Sequence, residues 1–162
     1  MKAIIRVRRI TSKREIAKAF AIRMRVFVKE QGVPAEIELD SDDERATHFL
    51  AYAGKRAVGT ARVVEQHRSA KIGSMAVSKN YRGRGVGKKL LQRATETAKK
   101  RGAQSIYLHA QVPVIGFYQS MGFRCAGPVF DEAGIPHRKM ILVSGSGSKQ
   151  IKPAIRRQSA AE

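Results

Sequence analysis

Tyr81-Arg82-Gly83-Arg84-Gly85-Val86-Gly87-Lys88 puts three glycines between a strand-like run, Lys71 to Val77, and an amphipathic helical pattern from about Gly85 to Arg101. Glycines at such a junction let the backbone come close enough to a ligand for several N–H groups to point at one anion. The helix beyond adds its dipole and its unpaired first amides. A phosphate cradle on a strand-to-helix turn is the expectation, and it restricts the chain to folds that mix strands with helices.

Spacing narrows the anion. A dinucleotide fingerprint, Gly-x-Gly-x-x-Gly, fails because counting from Gly83 and Gly85 the third position is Lys88. A P-loop ending in Gly87-Lys88 needs Gly at 82 and Ser or Thr at 89, where the chain has Arg82 and Lys89.

Around the loop, Ala3 to Ile10 alternates Ile and Val with arginines, the period of a strand with one wet face. Thr11 or Ser12 reads as an N-cap, with Glu15 three residues after Ser12 completing a capping-box pattern, followed by a helix through about Gln31 carrying Ile16, Ala19, Phe20, Met24, Phe27 and Val28 at helical spacing, and ended by Gly32-Val33-Pro34. Thr47 to Ala53 and Arg56 to Gln66 read as strands joined at Gly54-Lys55. Val86, Leu90, Leu91, Ala94 and Ala98 form the apolar side of the helix after the loop, with Gly102 as its stop. Ser105 to Gln111 reads as a strand, Val114 to Met121 as a short helix, and Phe123 to Phe130 with His137 to Val143 as a last strand pair. The order is β-α-β-β-β-α-β-α-β-β, an α/β (α+β) chain with about seven strands in a mixed central sheet flanked by helices. The domain is expected over residues 1–143. From Ser144 a Ser-Gly run leads into a basic tail, 144–162, read as a flexible linker.

Length and composition fit one soluble domain: 162 residues suffice for a single core, and no apolar run approaches the roughly 20 residues of a membrane span. Charges interrupt the N-terminal apolar residues too soon for a secretory signal, and the single cysteine, Cys125, excludes an intramolecular disulfide. A cytoplasmic location is expected. The net charge of +19 is the unusual bulk property; the tail holds four basic residues against one acid, so +16 belongs to the rest. Glu36 to Glu44 reverses that sign locally, with six of the thirteen acids and no base. It reads either as a solvated loop or as an attractor for a cationic acceptor. A nucleic-acid partner rests on net charge alone, since no zinc-finger or RNA-recognition signature accompanies it.

With the two nucleotide motifs excluded, Arg82, Gly85 and Gly87 fit Arg-x-x-Gly-x-Gly, which resembles the acetyl-CoA-binding motif of the GCN5-related N-acetyltransferase (GNAT) family. Gly116-Phe117-Tyr118-Gln119-Ser120-Met121-Gly122-Phe123 resembles that family's Tyr…Gly-Phe segment, and the resemblance spans roughly Ile4 to Val143. A subgroup pattern is also present as Arg23, Val26, Phe27, Glu30 and Gln31, followed by acids and a His. One departure is that the family's pantetheine-contacting Asn is missing, and Gln111 stands in that region.

The resemblance implies a GNAT fold and direct acetyl transfer from acetyl-CoA, as co-substrate and with no metal, to the amine of a small molecule or peptide. Homodimers are common in the family, and the sequence leaves that point open. It assigns the acetyl carbonyl and pantetheine to the backbone of Met75, Ala76 and Val77, and the pyrophosphate to the loop amides of Arg82, Gly83, Arg84, Gly85, Val86, Gly87 and Lys88. A backbone N–H aimed at the carbonyl is a one-donor oxyanion hole. Tyr118 is the expected general acid, its alternative being a packing role. An alkylammonium with a pKa of about 10 needs a base near neutrality; the candidates are Glu30, Glu36, Glu38, Asp40, His48 and His109. Strand alternation puts His109 on one face with Tyr107 and Gln111. Cys125, in a strand without an adjacent base, reads as a structural thiol. A sensor that binds acetyl-CoA without turnover is the alternative reading of the same cradle.

Overall fold

The structure is a computed structural model that describes residues 3–143. The expected tail, 144–162, lies outside the described residues. The chain divides after Ile106 into two compact units.

In the first unit β1 (Ile5–Ile10), β2 (Thr47–Ala53), β3 (Arg56–Gln66) and β4 (Ser69–Val77) pair antiparallel in chain order. Gly54, at φ 61°, and Lys55 form the expected turn between β2 and β3. Register places Leu50, Thr60 and Ala76 side by side on one face, and Ala51, Gly59 and Val77 on the other. Seven consecutive residues of β3, Val58 to Val64, are buried because helices cover both faces.

The first helix, α1 (Lys13–Arg23), starts where Ser12 Oγ accepts from the Glu15 N–H at 3.2 Å. The expected capping box forms only halfway. The Glu15 carboxylate turns instead to the Tyr52 hydroxyl at 2.7 Å and the Arg8 guanidinium at 3.3 Å, partners outside its own helix turn. A second departure follows: beyond Arg23 the helix widens into a π-helix, Met24–Glu30, with Gln31 N–H bonded to Val26 O at 3.1 Å, and Gly32 at φ 76° ends it. Ile10, Ala19, Ile22, Val26, Leu50 and Ala76 form the core under α1, with Phe27 and Tyr52 packed against it.

The acidic stretch is not an irregular loop. It forms α2 (Ala35–Glu38) and a 3₁₀ turn (Ser41–Glu44) capped by Asp40. On the opposite sheet face lies α3 (Val86–Lys100), with Val86, Leu90, Leu91, Ala94 and Ala98 buried as the pattern predicts.

The second unit holds most of β5 (Ser105–Gln111), then α4 (Ile115–Ser120), β6 (Phe123–Cys125), β7 (Phe130–Glu132) and β8 (Ile135–Leu142). One edge of β8 pairs with β5; along the other, β6 takes residues 140–142 and β7 takes 135–137. The single strand expected over Phe123 to Phe130 is therefore two, which raises the count to eight among the described residues. Gly127, at φ 99°, and Pro128, which lacks an N–H, interrupt it. Cys125 sits half-buried at the end of β6 opposite Met140. No helix among the described residues is long and apolar enough to cross a membrane.

Candidate functional site

The glycine loop follows β4 through a 3₁₀ turn, Lys79–Tyr81, and enters α3 with Gly83 at φ 75° and Gly85, its N-cap, at φ 81°. Those angles suit glycine alone without strain. Within the loop and the first helical turn, no acceptor among the described residues faces the N–H groups of Gly83, Arg84, Gly85, Val86, Gly87 and Lys88; the first helical bond is Lys89 N–H to Gly85 O. The result is a row of free amides at the positive end of a 15-residue helix, the physical basis of an anion site.

Side chains fix this loop in place. The Arg82 amide, expected among the pyrophosphate donors, is directed at Lys79 O at 3.4 Å, while the side chain directs its Nε to Val77 O at 2.9 Å and its Nη2 to Glu30 at 2.8 Å, so its guanidinium ties the loop to β4 and the π-helix. Arg84 lies 5.2 Å over the Tyr81 ring. The Lys89 ammonium holds Ile5 O at 3.1 Å. Beneath the loop, α3 meets β3 at Gly59, where a Cβ would stand 2.9 Å from Val86 Cγ1 and 3.0 Å from Leu90 Cδ1. That close approach seats the helix N-terminus, and the glycine inside a strand pattern is the sequence signal for it.

Met75, Ala76 and Val77 follow an irregularity in β4. Register with β3 shifts between Thr60 and Arg62, and Ser74 takes φ 47°, an unusual angle for a residue with a side chain. Such a bulge leaves a residue unpaired and re-aims the backbone after it. Ala76 is buried, whereas Met75 and Val77 are half-exposed. Gly73, a glycine inside the strand pattern, is the signal that could have found the bulge.

Along β5, Ile106, Leu108 and Ala110 are buried and Tyr107, His109 and Gln111 share the other face, as alternation predicts. Gln111 ends β5 opposite His137. Tyr118 is buried on α4 between Phe117 and Phe123, with ring centroids at 5.0 and 6.1 Å. Burial pushes its hydroxyl up to about 12. His109 is 23% exposed, its Nδ1 2.9 Å from Glu132 Oε1.

The remaining base candidates divide. Glu36 is exposed on α2. Glu30 is paired with Arg82. His48 is buried, its Nε2 donating to Asp43 O at 2.9 Å and its ring edge-on to Phe20. Asp40 accepts from Arg62, whose bonds hold its carboxyl below the usual range. Burial pushes Asp43 up, but the bonds and charges of Arg23 and Arg62 outweigh it and hold that carboxyl low as well. Glu38 accepts from Arg23 Nε at 3.0 Å; there burial prevails over the attraction of the arginines and its pKa is raised. The acidic run is thus neither of the two things expected of it as a whole. Glu38, Asp40 and Asp43 neutralise two arginines and Asp42 pairs with Arg45, which leaves Glu36 and Glu44 as its acids without a partner among the described residues.

Comparison with known proteins adds four findings. A family model described as an acetyltransferase (GNAT) domain matches residues 11–144. A Bacillus subtilis (strain 168) protein named as an acetyltransferase is 38% identical over 134 residues, 81% of this chain and 91% of that protein. The crystal structure of Escherichia coli ElaA superposes with a TM-score of 0.78 at 29% identity, covering 86% of this chain and 100% of that one. An acyl-CoA N-acyltransferase from Pseudomonas aeruginosa does so with a TM-score of 0.75 at 25% identity, covering 87% and 99%.

Proposed function

Because this chain belongs to the GNAT acetyltransferase family, whose members are acyl-CoA-dependent N-acyltransferases, we propose that it transfers acetyl from acetyl-CoA directly to the amine of a small molecule or peptide. The observation that carries the reading is the row of unpaired amides from Gly83 to Lys88 at the start of α3. Six unpaired N–H groups along one loop and helical turn suit the two adjacent anionic centres of a pyrophosphate better than a single carboxylate.

In this reading the backbone of Met75, Ala76 and Val77 binds the pantetheine and donates an N–H to the acetyl carbonyl, where negative charge develops as the amine attacks. Gln111 takes the place of the family's asparagine. Arg82 acts through its grip on Val77 O, which couples the loop to the strand that holds the thioester. The acceptor ammonium gives a proton to a base, its lone pair attacks the carbonyl carbon, and the C–S bond breaks. Tyr118 hydrogen-bonds the departing thiolate and relays to it the second proton lost by the nitrogen. A phenol pushed up to about 12 stays protonated at neutral pH, and is too weak an acid to ionise before charge appears on sulfur, with a thiol pKa near 8.5. Its part is therefore confined to the moment of C–S cleavage.

The test is thermal unfolding with acetyl-CoA, CoA and ATP. Acetyl-CoA and CoA at about 100 times Kd stabilise by about 2.7 kcal/mol; a protein stabilised equally by ATP, or by none of the three, would contradict the proposed cofactor.

A further inference from the structure

Besides the buried network of Arg23, Asp43 and Arg62, the described residues hold a second cluster of titratable side chains, at the β7–β8 hairpin. The β7–β8 hairpin turns on Ala133 and Gly134, both at positive φ, 56° and 80°, with Asp131 Oδ2 accepting from Gly134 N–H at 3.3 Å. A two-residue turn with both angles positive fixes strand register, here Glu132 opposite Ile135 and Phe130 opposite His137. Through β8, His137 stands opposite Gln111 and Lys139 opposite His109. Cross-strand partners share a face, so the hairpin delivers Glu132, Phe130 and His137 to the face of β5 that carries His109.

There the Glu132 carboxylate lies between two imidazoles, with Oε1 at 2.9 Å from His109 Nδ1 and Oε2 at 3.7 Å from His137 Nε2. Phe130 meets the His109 ring edge-on at 4.9 Å and stacks on His137 at 6.0 Å. The hydrogen bonds decide the tautomers. His137 Nδ1 is 2.7 Å from Ile135 O, and a carbonyl only accepts, so that nitrogen carries a hydrogen. A carboxylate likewise only accepts, so His109 Nδ1 carries a hydrogen and the neutral ring keeps its lone pair on Nε2. No partner among the described residues occupies that Nε2, and the side chain is 23% exposed. The other charged or titratable groups around His109 are Lys139, whose ammonium sits 4.8 Å over the Tyr107 ring, the Tyr107 phenol itself, and His137 across Glu132.

We propose that Glu132 is the positioning residue for the acceptor's base: it fixes His109 with Nδ1 protonated, so that Nε2 takes the proton from the acceptor ammonium. The inference rests on the N-acetyltransferase reading above. The imidazolium formed is stabilised by the Glu132 carboxylate and returns its proton to water. Glu38, with its raised pKa and one oxygen not bonded to Arg23, is the competing base.

The test uses the full chain with Glu132→Gln, His109→Gln and Glu38→Gln, acetyl-CoA, and the amine that the wild type turns over fastest. Glu132→Gln is expected to lower kcat near pH 7 about tenfold or more with KM for acetyl-CoA unchanged. The deficit shrinks above the amine's own pKa, about 10 for an alkylammonium, where no base is needed. Nitrogen-15 NMR of the imidazoles is expected to show a protonated Nδ1 and bare Nε2 on His109 in the wild type, with that preference lost in Glu132→Gln. A Glu132→Gln enzyme with wild-type kcat at pH 7 overturns the inference, as does a deficit that high pH repairs in Glu38→Gln but not in His109→Gln. A wild type that releases no thiol with any amine removes the transfer reaction itself and the base with it, which the NMR signature of an intact His109–Glu132 pair distinguishes from failure of the pair alone.

Discussion

Arg23, 1% exposed, binds Asp43 through Nη1 to Oδ1 at 2.7 Å, twenty residues away in sequence. Arg62 Nη1 reaches the same oxygen, also at 2.7 Å. One carboxylate therefore anchors the end of α1 to β3 and closes the acidic stretch over both. Removing Asp43 from this buried arrangement leaves each guanidinium with a single carboxylate, Glu38 for Arg23 and Asp40 for Arg62. Asp43→Asn is expected to cost about 3–5 kcal/mol by urea unfolding, and a loss below about 1 kcal/mol, the worth of an exposed pair, would mean that water reaches the network.

The same carboxyls set the acid limit. Asp40 and Asp43 are held below their ordinary 3.8, so their contribution is present above about pH 4 and is lost as pH falls through the lower folded values. Glu38 works in the opposite direction, since its raised pKa makes the folded state the stronger proton binder above 4.5 and partly offsets the loss. The midpoint of thermal unfolding should fall steeply below about pH 4 in the wild type and less steeply in Asp43→Asn.

Gly59→Ala forces a methyl against Val86 and Leu90, with Ala76 O at 3.3 Å on the other side. Overpacking of this kind costs about 1–3 kcal/mol, and relief by displacement of α3 would move the loop amides. The variant is expected to lose both stability and acetyl-CoA affinity by calorimetry, whereas Ala98→Gly, at the far end of α3, loses stability alone.

Tyr118→Phe should leave acetyl-CoA affinity unchanged and lower kcat about 10²-fold; an unchanged kcat would leave the residue a packing role only. The hydroxyl also sets an alkaline limit. Its pKa rises from 10 in the unfolded chain to about 12 in the fold, so stability is full below about pH 10 and falls as pH rises beyond it. Tyr118→Phe removes that contribution to the slope.

What could be read ahead of the structure was local. β2 and β3 flank the turn expected at Gly54-Lys55, β5 falls where it was expected, and the glycine loop follows β4 and opens α3 as its spacing predicts, because these features are written in neighbouring residues. What was missed joins distant residues. Arg23 looked like one letter of a helix pattern, yet its partners are Glu38 and Asp43. Glu132 carried no signal of its own, yet its partner is His109, brought near by a hairpin whose turn Gly134-Ile135-Pro136 marked without giving its register. The bulge at Ser74 and the close approach at Gly59 each carry a glycine inside a strand as their mark, Gly73 and Gly59, but which element meets the strand there is set by packing. The acids that the sequence suggested for an acceptor instead balance Arg23, Arg45 and Arg62 within the fold.

The central claim is acetyl transfer from a cofactor held on the loop, and the most direct measurement is thiol release from acetyl-CoA across polyamines, amino sugars, aminoglycosides, amino acids and peptide N-termini, with mass analysis of each amine. Wild-type protein is predicted to release thiol only when a suitable amine is present, to add one acetyl group to it, and to lose the activity in Gly85→Val, where a β-branched residue cannot adopt φ 81°. Thiol release independent of any amine, or none with the whole panel while acetyl-CoA still binds, would contradict it.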